Sequence, residues 1–125
     1  MAQFVETGRK AFVAGAAIGQ YLRVKLSSGK LAVAGLTDKE IGTLEAESFA
    51  DGDVRAVRLT SAPGTCKMVA KDALSVGDPV HTLANGKVGD AVATGFLVGT
   101  ALTSTTADGD IVEVLRNSHG DTANT

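Results

Sequence analysis

The chain has 125 residues, 12 Lys+Arg against 14 Asp+Glu, 44% hydrophobic and 4% aromatic residues, one cysteine and no tryptophan. One-domain length, an ordinary apolar fraction and near-neutral charge argue against wholesale disorder and against a dedicated nucleic-acid binder. The longest apolar stretch, Ala11 to Ile18, is eight residues long and contains Gly15, too short for a transmembrane helix, and the lone Cys66 can make neither an internal disulfide nor a cysteine-built metal site.

The first residues are basic and aromatic. Positions 1–30 carry Arg9, Lys10, Arg23, Lys25 and Lys30 against Glu6, a balance of about +4, whereas the remaining 95 residues sum to about −6. Phe4, Phe12 and Tyr21 are three of the five aromatics. Arg9-Lys10 before an apolar run has the outline of a signal peptide, but the basic pair sits late and the run is short, so a reducing cytosol is the default compartment. Residues 1–20 are expected to form an N-terminal arm.

From residue 21 the pattern is β. Leu22-Arg23-Val24-Lys25-Leu26 alternates apolar and charged residues, as a half-buried strand does. Ser28-Gly29 reads as a tight hairpin turn and Leu31-Ala32-Val33 as the returning strand. Thr37 to Glu40 could hold one helical turn, stopped by Gly42 and Thr43. Asp51-Gly52-Asp53 is a turn before the strand Val54–Leu59. Thr65–Ala70 alternates next, then a connector over Ala73–Gly77 and the turn Asp78-Pro79 lead into Val80–Leu83. Asn85-Gly86 is a second hairpin turn and Val88 opens its partner strand. Phe96–Leu102 is continuously apolar, which suggests burial on both faces. Asp108-Gly109-Asp110 precedes the strand Ile111–Leu115, and the polar residues 117–125 read as a tail.

These elements repeat. Leu26–Leu31 returns as Leu83–Val88, Ile41-Gly42-Thr43 as Val98-Gly99-Thr100, and Ala50–Val54 as Ala107–Ile111, always 57 positions later. Residues 21–59 and 78–116 share 12 identities in 39 ungapped positions. One inserted residue extends the match backwards, pairing Ile18-Gly19 with Val76-Gly77 and Leu22 with Val80. The expected architecture is all-β: a small barrel or sandwich of short strands. It forms a single domain over 21–116 with half-repeats at about 18–59 and 76–116.

No residue pattern carries catalysis, cofactor binding or metal binding. His81 alternates within a strand, His119 lies in the tail, and Cys66 reads as apolar filler. The two Asp-Gly-Asp turns run straight into apolar residues instead of continuing a calcium loop. Lys30 and Lys87 follow hairpin glycines, where a lipoyl- or biotinyl-like carrier domain bears its modified lysine, but the flanking residues match neither carrier. A cytosolic oligomeric β-domain of another binding type is the second alternative.

Ala73-Leu74-Ser75-Val76-Gly77-Asp78-Pro79-Val80-His81, Gly86-Lys87-Val88, Val98-Gly99-Thr100-Ala101-Leu102 and Ala107-Asp108-Gly109-Asp110-Ile111-Val112-Glu113-Val114 together resemble the capsid cement, or head decoration, family of tailed bacteriophages. The similarity covers roughly residues 12–116 and is a pattern of turns and apolar positions. It implies a non-enzymatic virion protein on the outer capsid surface, made in the host cytoplasm. Such a protein would bridge major capsid proteins and stabilise the shell, commonly as a homotrimer and in some cases as a dimer. No cofactor, membrane or direct nucleic-acid contact is implied. On this reading Phe4, Arg9, Lys10, Phe12 and Tyr21 are the expected contacts to capsid or neighbouring subunits, with Phe12 and Tyr21 also readable as ordinary core.

Overall fold

The computed structural model describes residues 8–116; positions 1–7, with Phe4, and the expected tail 117–125 lie outside them. The fold is all-β, as the alternating sequence requires. Five strands, β1 (Arg9–Val13), β2 (Arg23–Ser27), β3 (Lys30–Val33), β4 (Gly42–Leu44) and β5 (Val54–Leu59), form one antiparallel sheet in the order β1-β5-β4-β2-β3. Five more, β6 (Thr65–Val69), β7 (Pro79–Thr82), β8 (Val88–Gly89), β9 (Leu97–Ala101) and β10 (Ile111–Arg116), form a second in the order β6-β10-β9-β7-β8. The second order is the first with each strand replaced by its repeat.

Each sheet curls until its edges meet. A parallel bridge joins Ala14 to Leu31 in the first unit, and its counterpart joins Ala70 to Val88 in the second. Each unit has its own core. Ala14, Ile18, Val24, Leu31, Leu44 and Val57 are buried in one, and Cys66, Met68, Ala70, Leu74, Val80, Val88, Val98, Ala101, Val112 and Val114 in the other. Neither buried cluster holds an aromatic; Phe49 is 71% exposed, and Phe96 lies half-buried beneath the Lys39 ammonium, 5.1 Å from its ring centre.

The repeat is preserved down to single atoms. The Lys30 ammonium meets Asp51 at 2.9 Å, and Lys87 meets Asp108 at 2.7 Å. Asp53 Oδ2 accepts from the amides of Phe49 and Ala50, and Asp110 Oδ2 from those of Thr106 and Ala107. Ser48 Oγ accepts from the Ile18 amide and donates to Ala16 O; Thr105 Oγ1 accepts from Leu74 and donates to Asp72 O. The lysines and acids singled out in the sequence therefore tie turns together, as side chains flanking tight turns commonly do.

Four expectations need correction. Residues 9–20 are not an arm: β1 pairs along its whole length with β5, Arg9 to Arg58 through Val13 to Val54, and Ala14 and Ile18 are core. β1 is the counterpart of β6, so the halves run 9–59 and 65–116 rather than 18–59 and 76–116. The irregularity also has the opposite sense. Ile18 matches Leu74 and Val24 matches Val80, 56 residues apart, because the second hairpin holds one residue more between Thr82 and Val88 than the first between Leu26 and Leu31. Finally, Thr37–Glu40 forms no helical turn, since Asp38 instead folds back on Gly35, accepting its amide at 2.8 Å.

Gly42 and Gly99 recur for a steric reason. A Cβ on either would collide with the facing backbone, the carbonyl of Arg58 in one unit and of Leu115 in the other. Gly42→Ala and Gly99→Ala are each expected to cost about 1–3 kcal/mol of stability by overpacking. Urea unfolding measures this; a change indistinguishable from zero would contradict the close packing.

Candidate functional site

The two units meet through a buried polar junction. Arg23 stands second in an alternating strand, where the sequence pattern puts a solvated charge, yet it is fully buried. Its guanidinium donates within its own unit to the carbonyls of Ala34, Gly35 and Asp38, and across to Leu83 (2.6 Å) and Lys87 (3.2 Å) of the second unit. Those two carbonyls flank the 3-10 turn Ala84–Gly86. A guanidinium suits this task because its planar fork presents five donors at once.

Glu40 neutralises the junction. One of its oxygens accepts from Arg23 Nη1 at 3.3 Å and the other from Arg116 Nη2, the last residue of β10. Its carboxylate thus sits between one arginine from each unit. Burial pulls the Arg23 pKa down and Glu40 pulls it back up; an arginine so partnered stays charged. Thr82 adds a neutral link, donating to Leu36 O across the same junction at 2.9 Å.

Beside the junction lies an open cleft of about 270 Å³, lined by Arg9, Tyr21, Thr43, Glu45 and Arg58 from the first unit and Thr65, Cys66, Lys67 and Glu113 from the second. Arg9 Nε meets Glu45 at 2.7 Å, the Lys67 ammonium lies 5.7 Å from the Tyr21 ring centre, and Thr65 donates to Glu113 at 2.6 Å. Tyr21 holds φ = 66°, where the second unit places Gly77 at φ = 93°. Positive φ is costly for a tyrosine, and the half-buried ring lines the cleft with the Lys67 ammonium beside it.

Of the residues expected at a partner surface, Arg9 and Tyr21 come together in this cleft. Lys10 lies 5.8 Å over the Phe12 ring, and Phe12 packs against the first core. Phe4 is outside the described residues. The groups considered for chemistry have plain surroundings. Burial raises the Cys66 pKa, with Arg116 partly opposing, so the thiol stays protonated and is a poor nucleophile. Burial lowers the pKa of His81, against Asp90, and its Nδ1 is buried without a hydrogen-bond partner. Glu40, the partner of Arg23, and Arg116, which pairs with Glu40 from the second unit, escaped the sequence reading. A usable signal existed: Glu40 and Glu45 align with Leu97 and Leu102 in the repeat, and a charge opposite a leucine in a duplicated sheet marks a changed environment.

No protein-family model and no curated protein matches the chain. Among solved structures, the chain is similar to the head fiber gp8.5 N base of bacteriophage phi29, with a TM-score of 0.70 and 17% identity, covering 87% of this chain and 92% of that one. At that identity the likeness is one of fold, and it extends over both units.

Two predictions follow from the junction and the turns. Glu40→Ala leaves two arginines facing each other in a buried site and is expected to destabilise by about 3–5 kcal/mol, as one-sided removal of a buried partner does, read by urea unfolding. Asp53 and Asp110 are held below the usual carboxylate range by the backbone amides they accept. Their contribution is therefore complete above about pH 4, the unfolded value, and is lost as pH falls through the lower folded value. The double variant Asp53→Asn/Asp110→Asn should lose less stability than wild type between neutral and strongly acid pH; an unchanged acid limb in thermal melts would contradict this.

Proposed function

We propose that this protein is a structural component of a bacteriophage head, a cement protein that binds the outer capsid surface, bridges major capsid proteins and stabilises the shell. The observation that carries the reading is the fold shared with a phage head-fiber base over 87% of this chain and 92% of the other. It is joined by the sequence resemblance to the head decoration family over residues 12–116. Two β units whose turns and central junction are held by paired polar side chains suit a protein that works by contact.

The mechanism is mass action. A ligand that binds the assembled lattice and not its dissociated parts stabilises the lattice, by about 2.7 kcal/mol per site at a hundredfold excess over Kd. Many copies bridging neighbouring subunits multiply the effect. We assign contact with the shell or a neighbouring subunit to the basic N-terminal region, through Phe4, Arg9 and Lys10, with Tyr21 and Phe12 supporting it from the domain. The correction to β1 changes how this is tested. Deletion through Lys10 would remove part of a paired strand, so the informative deletion ends at residue 7.

Purified protein should cosediment saturably with expanded, undecorated heads of the phage that encodes it and raise their disruption temperature; heads that remain bare would overturn the proposal. Removal of residues 1–7 should weaken shell binding about tenfold or more, equivalent to at least 1.4 kcal/mol, with the melting temperature of the free protein unchanged. Equal occupancy by the truncated protein would remove the N-terminal segment from the contact.

A further inference from the structure

The duplication supplies a template for a contact that the single chain leaves empty. Within the chain, the outer face of the first sheet around β4 is covered by the edge of the second unit. Thr65, Cys66 and Lys67 of β6 share the cleft there with Tyr21, Thr43, Glu45 and Arg58. The same face of the second sheet is uncovered. In register across it lie Pro79, Thr100 and Leu115, counterparts of Arg23, Thr43 and Arg58. Leu102, counterpart of Glu45, sits one step along, its amide donating to Glu113 O. Leu97, counterpart of Glu40, opens β9 on this face, and Val92, counterpart of Gly35, is exposed in the loop before it.

Arg23, Glu40, Glu45 and Arg58 of the covered face thus have apolar counterparts on the open one, Pro79, Leu97, Leu102 and Leu115, whereas Arg9 has the polar Thr65. Leu97 is 36%, Leu102 37%, Val92 42% and Leu115 47% exposed. The continuously apolar run Phe96–Leu102, read from sequence as buried on both faces, is buried on only one. A cluster of aliphatic side chains on a sheet face marks a contact with another surface.

The geometry points to a second copy of this chain as the occupant, its β1 edge packing on the β9–β10 face as β6 packs on the β4 face within the chain. β1 is the counterpart of β6: Arg9, Lys10 and Ala11 stand where Thr65, Cys66 and Lys67 stand. The contact is heterologous, one face against a different face, so repetition closes a ring when the rotation allows. This deepens the proposed function by naming the self-contact, but it rests on the repeat alone. It is measured without capsids, so its failure and that of the capsid reading are separable.

Size-exclusion chromatography with light scattering on the full chain should return a mass that is a multiple of 12.7 kDa, and that mass counts the copies. Leu102→Glu/Leu115→Glu should fall to monomer with its circular dichroism and melting curve retained. In a Cys66→Ala background, Ala11→Cys with Leu102→Cys should form intermolecular disulfides on oxidation, because Lys67 and Glu45, their counterparts, share one cleft. A monomeric wild type overturns the proposal, as does a double variant that remains oligomeric. A monomeric wild type whose leucine variant fails on capsids would assign the face to the shell instead of to a second copy.

Discussion

The guanidinium of Arg23 has no access to water, and both units are arranged around that fact. An isolated buried charge is prohibitively costly, so its neighbourhood must supply acceptors and a counter-charge. Loop 34–40 does the first part, turning its carbonyls inward and delivering Glu40. The hairpin of the second unit does the rest with Leu83 and Lys87, and Arg116 closes on the other oxygen of Glu40. Small hydrophobic patches could slide past one another; a planar donor set matched to carbonyls on two separate chain segments cannot. The junction thereby sets the relative orientation of two β units that do not share a hydrophobic core.

That division explains how a chain so poor in aromatics holds together. Each core is built from Val, Leu, Ala, Ile and Met, which bury little area apiece, and each curled sheet encloses only a small volume. Small cores need small residues, and the glycines at 42 and 99 let strands approach where any Cβ would collide. Burial then comes from repetition: two compact units, side by side, with polar bonds between them.

The duplication also broke symmetry in a useful direction. In the first unit the outer sheet face carries Arg23, Glu45 and Arg58 and is covered. In the second, the same positions carry Pro79, Leu102 and Leu115 and are open. Divergence of one face toward charge and the other toward leucine gives the chain an inner junction of fixed geometry and an outer surface of different chemistry.

The alternation of apolar and polar residues, the Ser28-Gly29 and Asn85-Gly86 turns and the paired Asp-Gly-Asp turns determined most strands and the repeat by themselves, because those signals are local: side-chain period and positive φ act within a few residues. β1 was not legible, since Arg9–Val13 looks like a basic tail until its pairing with β5 is seen. The same holds for Arg23 and Glu40, whose positions in the pattern are those of solvated charges. The contacts from the second unit that complete the burial are 60 to 76 residues away along the chain, and no local period encodes them. The tertiary structure alone decided that the two halves have separate cores, that a charge cluster locks them, and that the leucines of β9 and β10 face outward; each depends on how one unit covers the other.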